Sequence, residues 1–456
     1  MDSFREGTRH LAIDRREFLK SATAGAAAAG LSLGGSSPLT GAPPPPRSAP
    51  LRRPAGQPPD IVVIGAGNFG IWTALNLVRL GATVTVLDAY GPGNSRSTSG
   101  GETRGVRSSY GGRPEGLVWN RWANEAIRRW IQWDEEGQEL LLPRVFYQMG
   151  DLILREEMVP YLEDTMAQWD RLGVDYELLD VDEIHYRWPW IRTEEGVSLG
   201  LHEPNAGVVR ARRAIESVAK RFEMEGGEIR IARAALGGSD GRRLNDVTLG
   251  GDESLAASTF VFAVGPWMGK TFPELFGDRI RIPVGNVFYF AVPDRRFMFP
   301  NMPSYGVPGC TGWPALGPDH RGFRVRVGGQ AGDDPDTSDR WVPPEAHERP
   351  REILKRYFPD LVSAAVNETR ACHYCFGPSR NFLVDRHPDF DNVWLAGLGT
   401  AESFKQGPVL GEYIAKRVLE IADDPELAEQ FRFSLEAPEG RDPGAALDPE
   451  LEDLGG

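Results

Sequence analysis

Cysteine is nearly absent, with three residues in 456. That excludes a disulfide scaffold and a cysteine-rich metal protein, both of which need several thiols at set spacings. Basic residues are outnumbered, 51 Lys and Arg against 65 Asp and Glu, and the formal net charge is −14. An acidic chain repels phosphate, so a general nucleic-acid binder is not expected. No segment supplies about 18 continuous apolar residues, which excludes a multi-pass membrane protein. What is present is enough for a large fold: 41% hydrophobic and 10% aromatic residues are too many for a solvated coil. The length suggests roughly two or three domain-sized units.

The N-terminus reads as an address. Asp14-Arg15-Arg16-Glu17-Phe18-Leu19-Lys20 precedes a short Ala/Gly/Leu run, so residues 1–34 predict a twin-arginine-type signal. The run is too short and soft to span a membrane as a mature helix. Thr40-Gly41-Ala42 is small enough for cleavage, but Pro43 follows directly, so an uncleaved signal serving as an anchor stays open. Residues 35–59 form a Pro-rich linker. The expectation is recognition by twin-arginine export machinery and an exported, periplasmic or otherwise extracytoplasmic protein. Because that route carries folded proteins, it also predicts a cofactor inserted before export.

Residues 60–64, Asp-Ile-Val-Val-Ile, are the apolar run of a buried parallel strand. Gly65-Ala66-Gly67-Asn68-Phe69-Gly70 follows at once, then a helical pattern to Leu80 and a second strand ending at Asp88. This is the full strand–glycines–helix–strand–acid context of a dinucleotide site. Gly65 allows the tight turn, Gly67 the approach of backbone N–H groups to a pyrophosphate, and Gly70 the packing of helix on strand. The helix N-terminus attracts the diphosphate. Asp88 can accept ribose hydroxyls and disfavours a 2′-phosphate. A polar, donor-rich stretch, residues 94–107, comes next.

Here the chain resembles the sarcosine oxidase and N-methyltryptophan oxidase branch of the D-amino acid oxidase superfamily of flavoenzymes. That branch carries Gly-Asp-Thr-Arg-x-x-Arg at this point, and here it is Gly101-Glu102-Thr103-Arg104-Gly105-Val106-Arg107. The resemblance implies FAD, with Thr103 and Arg104 against the flavin and Arg107 on the substrate carboxylate. A second strand end, Ala263-Val264-Gly265-Pro266-Trp267, and a third, at Gly397, fit the same pattern. Lys405 matches a family lysine that meets the substrate carboxylate and the flavin edge. Cys372-His373-Tyr374 stands 13 positions before Asp385, as the family's flavin-linked cysteine does. Covalent FAD through Cys372 is one expectation. A small core cysteine, or a disulfide to Cys375, is the other. One departure concerns electrons: a family Gly-x-Lys that helps activate oxygen is Gly322-Phe323-Arg324 here, and the histidine four positions on is Gly328.

The expected fold class is α/β: a Rossmann-type FAD-binding domain with an inserted α+β substrate domain containing a mostly antiparallel sheet. The cofactor domain takes residues 60–143, 201–265 and 366–421, the substrate domain 144–200 and 266–365, and an acidic tail 434–456. Helices are expected at 115–136, where the Trp residues read as core, and at 160–172, 211–225, 344–358 and 409–419. The resemblance implies an oxidoreductase acting on the C–N bond of a small secondary amine or amino acid. Hydride passes to flavin N5, and water hydrolyses the imine. Arg107, Lys405 and Arg324 are the candidate catalytic residues, and no metal is expected. Oxygen or another carrier takes the electrons. The alternatives are a flavin dehydrogenase that passes electrons to a quinone or carrier protein, and a non-catalytic flavin-binding accessory subunit.

Overall fold

The computed structural model describes residues 60–434 apart from 114–115, 318–320, 331–333, 380 and 423. The signal-like segment, the linker and the acidic tail beyond residue 434 lie outside the described residues.

One sheet of six strands runs in the order Leu383–Arg386, Val393–Gly397, Thr259–Phe262, Ile61–Ile64, Val84–Asp88, Glu228–Ile231. All neighbours are parallel except Leu383–Arg386, which is antiparallel to Val393–Gly397. Ile61–Ile64 is buried along its whole length, which is why that stretch carries no polar alternation. Side chains alternate across the sheet. Ile61 and Val63 join a core with Trp72 and Leu75, whereas Val62 and Ile64 face Phe260, Phe262 and Leu395. Asn68–Arg79 packs on the first face. The long helix Gly116–Glu139 turns Trp119, Trp122, Trp130 and Trp133 inward to the same core, so its aromatic stripe is packing.

The second sheet has eight strands, in the order Val366–His373, Val284–Phe290, Phe323–Gln330, Cys310–Trp313, Ser304–Val307, Asp151–Arg155, Leu199–Glu203, Glu177–Asp180. Only Ser304–Val307 against Asp151–Arg155 is parallel. A three-stranded sheet sets Gly207–Val209 between Arg104–Val106 and Phe146–Gln148. The architecture is thus the α/β class, with one largely parallel sheet and one mostly antiparallel sheet.

Two elements differ in detail from the sequence expectation. Val366–His373 pairs antiparallel with Val284–Phe290 rather than joining the six-stranded sheet. Its polar, half-buried residues, Glu368 and Arg370 among them, suit an edge strand and not a sheet covered on both faces. The segment 344–358 begins as a 3-10 turn, Pro344–His347, before the α-helix Glu348–Tyr357.

Candidate active and cofactor site

The glycine loop is closed by contacts that leave no room for side chains. Gly65 sits at φ +107°, and a Cβ there would lie 2.3 Å from the Ala263 carbonyl oxygen. A Cβ on Gly70 would lie 1.8 Å from the Gly65 carbonyl oxygen. The helix that follows is Asn68–Arg79, and its N-cap residue, Gly67, has no side chain to cap it. Ser99 Oγ accepts from the Asn68 N–H at 2.9 Å, and an anion suits the N–H groups that remain in the first turn. Asp88 ends the next strand, and its carboxylate accepts from the backbone N–H of Ala66 at 2.7 Å, Tyr90 at 2.9 Å and Gly91 at 2.8 Å. Burial pushes its pKa up, and those three donors pull against it.

Gly65, Gly67, Asp88, Thr98, Arg104, Gly397 and Phe404 line one cavity of about 360 Å³. That size is typical of a ligand site. Asn68 Oδ1 and Thr98 Oγ1, from residues lining it, are buried without a hydrogen-bond partner, and such atoms call for a polar ligand. Past Gly397 the chain turns through left-handed conformations at Leu398 (φ 53°), Thr400 (φ 46°) and Ala401 (φ 63°). Non-glycine residues hold that shape only where surroundings impose it. Glycine cradle, helix start, Asp88 and orphaned polar atoms together fit an extended dinucleotide such as FAD.

Arg104 lies at the edge of this cavity. Its guanidinium donates to the Thr103 and Thr98 carbonyls, each at 2.7 Å, and to Cys372 Sγ at 3.1 Å. Cys372, Cys375 and Cys310 are free thiols, so no Cys372–Cys375 disulfide forms. Thr103 Oγ1 meets the Tyr289 hydroxyl at 3.2 Å and the Trp313 indole N–H at 3.1 Å. The Arg324 guanidinium carbon sits 3.7 Å from the centre of the Trp313 ring. Burial pushes the Arg324 pKa down to about 10, against the opposing pull of Tyr289 and Tyr374. Arg324, Cys372 and Arg104 line a separate small cavity rather than all facing the large one.

Lys405 comes from the far end of the chain. It is buried, and its ammonium lies 4.9 Å from the centre of the Tyr110 ring. Burial pushes its pKa down to about 7; Arg107 and Arg113 add to the fall, and Glu402 and Asp151 oppose it. Arg107 is buried too, with Nε donating to Ser109 Oγ at 3.2 Å and lying 3.8 Å from Asp151 Oδ2. Arg113 and Glu402 pair at 2.5 Å, tying residue 113 to the Lys405 loop. Neither Arg107 nor Lys405 lines the large cavity. Arg107 borders a small one with Asp151, Tyr161, Ser304 and Trp313.

The sequence expectation omits Tyr110, Asp151, Glu203, Trp313 and Glu402. One signal bears on them: a buried arginine needs a counter-charge, though nothing local names its partner. His387 is packed against Phe272 and Phe390 and takes no part in the site. Among the described residues, no cluster of three or more His, Cys, Asp or Glu could hold a metal ion, and no helix is long and apolar enough to cross a membrane.

The family described as FAD dependent oxidoreductase (DAO) matches residues 60–417. A monomeric sarcosine oxidase from Arthrobacter sp. is 25% identical over 377 residues, covering 78% of this chain and 91% of the relative. An N-methyl-L-tryptophan oxidase from Escherichia coli is 26% identical over 394 residues, covering 82% of this chain and 98% of the relative. Among solved structures, fructosyl amine: oxygen oxidoreductase (Amadoriase I) from Aspergillus fumigatus superposes with a TM-score of 0.71 at 19% identity. It covers 85% of this chain and 92% of its own, and shares the fold. With the cofactor cradle and the match over residues 60–417 in agreement, the chain belongs to the DAO family of FAD dependent oxidoreductases and is an enzyme that uses FAD.

Proposed function

We propose that the enzyme oxidises the C–N bond of a small secondary amine or amino acid. The observation that carries this reading is the convergence of Arg107 and Lys405, from opposite ends of the chain, on one buried patch around Tyr110. A substrate carboxylate leaving water needs cationic donors, or its burial costs several kcal/mol. Arg107 offers a fork and Lys405 a point charge. The aromatic face of Tyr110 excludes water beside Lys405 and strengthens the attraction.

FAD, when bound, supplies the hydride acceptor, and this is the cofactor's own chemistry. The chain binds and orients the amine. An amine with its nitrogen unprotonated is the form that gives up hydride. With a pKa near 7, Lys405 can take up or return a proton at neutral pH. The imine product leaves the site for hydrolysis by water. Arg104 beside the Cys372 sulfur supports covalent attachment of the flavin through Cys372. The segment around the six-stranded sheet serves as the cofactor domain and that around the eight-stranded sheet as the substrate domain. Arg15 and Arg16 direct the folded enzyme to the export machinery and out of the cytoplasm.

Electron disposal supports a second reading. Arg324 takes the place of a lysine, and its guanidinium face is covered by Trp313 at 3.7 Å. A covered, delocalised cation is a poorer partner for reduced oxygen than a free ammonium, which favours a quinone or carrier protein as acceptor.

The test is anaerobic. The FAD-loaded enzyme is mixed with a panel of N-methyl amines and amino acids, and bleaching of the flavin is followed. Air is then admitted and peroxide measured. Bleaching by at least one amine supports the reading, and bleaching by none overturns it. Peroxide in step with reoxidation identifies an oxidase.

A further inference from the structure

Two groups beside Arg107 have different roles. Ser109 Oγ accepts from Arg107 Nε at 3.2 Å, a hydrogen bond that orients the guanidinium. Asp151 Oδ2 lies 3.8 Å from the same Nε, beyond hydrogen-bond reach. Its attraction is therefore one of charge, strong in a buried site and insensitive to orientation. We propose that Asp151 is the built-in counter-charge of Arg107, and that it sets how far this site favours neutral amines over carboxylate-bearing ones. The proposal rests on the reading of Arg107 as the carboxylate ligand of the substrate.

Asp151 is tethered through its second oxygen. Its Oδ1 accepts from Ser304 Oγ at 2.5 Å, and Ser304 N donates to the Gly150 carbonyl at 3.1 Å. The carboxylate is thus pinned at the start of its strand. Directly across the sheet stands Glu203, in register with Asp151. Opposed like charges on buried strands are unfavourable, and the readiness of Glu203 to hold a proton relieves this. Glu203 accepts from Ser108 N at 2.9 Å and from Ser108 Oγ at 2.5 Å. Burial still pushes its pKa up to about 7. Arg107 stands 3.8 Å from Asp151 and keeps its own charge. Of the other charged neighbours, Lys405 also lies within electrostatic reach of Asp151 and Arg107. Arg155 donates to the Leu154 and Gly306 carbonyls, and Arg113 pairs with Glu402 beside Lys405.

A carboxylate that binds Arg107 therefore meets a cation already compensated and a fixed charge of its own sign. A neutral ligand meets neither penalty. Asp151→Asn keeps the shape and an acceptor for Ser304 and removes the charge.

The probe pair is acetate and acetamide, titrated into FAD-loaded enzyme while the flavin absorbance is followed. Asp151→Asn is expected to bind acetate about tenfold more tightly, the scale of coupling within one charge network, with acetamide unchanged. Arg107→Met should weaken acetate, and in the double variant the gain from Asp151→Asn should shrink to the part that comes from direct repulsion. Acetate bound equally or less tightly by Asp151→Asn, while Arg107→Met weakens it, overturns the counter-charge and leaves the Arg107 reading intact. Acetate unaffected by Arg107→Met overturns the Arg107 reading, and the proposal with it. FAD content and thermal midpoint verify folding, and Asp151→Ser repeats the measurement if the Asn variant does not load FAD.

Discussion

The Arg104 guanidinium donates to the sulfur of Cys372 at 3.1 Å, across 268 positions of sequence. That contact holds the Cys372 sulfur beside an arginine that also lines the cofactor cavity. Cys375, in contrast, is buried, and its pKa is pushed up to about 12. Of the two, Cys372 is the less buried.

The proposed covalent attachment at Cys372 predicts where the flavin goes on denaturation. Flavin absorbance should stay with the denatured, acid-precipitated polypeptide of the wild type. Cys372→Ser should release it to the supernatant, and Cys375→Ser should not. Free flavin from the wild type refutes the bond without touching the assignment of FAD.

Glu203 predicts a pH dependence of stability. Its folded pKa, about 7, lies above the ordinary 4.5 because of burial. Between those values the native state holds more protons than the unfolded one, so this group's contribution falls as pH rises. The stabilisation is fully present below about 4.5 and fully lost above about 7. The gap corresponds to about 3 kcal/mol as an order of magnitude. Denaturant unfolding of Glu203→Gln and wild type should therefore show the variant gaining on the wild type between pH 5 and pH 8. A constant difference across that range means Glu203 is not raised.

The cofactor end of the molecule is legible because its causes are local. Gly65, Gly67, Gly70 and Asp88 belong to one strand–helix–strand unit, and each residue's task follows from its near neighbours. Arg107 and Lys405 are legible only through a motif match, since no periodicity brings residue 405 to residue 107. Asp151 and Glu203 become partners through strand register alone. Trp313 reaches Thr103 across 210 positions. Val366–His373 shows the same limit: its strand character is local, but its sheet is chosen by an antiparallel partner more than 70 positions earlier.

Arg15 and Arg16 predict export after folding. Replacing both with Lys keeps the charge and removes the paired guanidinium groups. FAD-loaded protein should then accumulate in the cytoplasm, as fractionation and flavin fluorescence would report. Unchanged export means the N-terminus is not a twin-arginine signal.

The carboxylate clamp gives the most demanding prediction, because its two members have different pH responses. Arg107 stays charged throughout. Lys405, with a pKa of about 7, loses its charge as pH rises through neutrality. Carboxylate binding should thus weaken above about pH 7, by up to tenfold per pH unit while Lys405 alone controls it. Ionisation of Glu203 in the same range adds to the weakening, so the profile is measured in Glu203→Gln as well. Lys405→Arg should flatten what remains, since its guanidinium does not titrate there. Removing either cation should cost about 2–5 kcal/mol of transition-state binding for amino acids, as when a buried charge pair loses a partner. When Arg107 is the one removed, amines lacking a carboxylate should lose much less. The measurement is kcat/KM for a matched pair of substrates, with and without the carboxylate, across pH 6 to 9. Equal losses on both substrates in Arg107→Met mean that Arg107 positions the site without touching a carboxylate. A pH profile unchanged in Lys405→Arg removes Lys405 from the clamp, whatever its effect on rate.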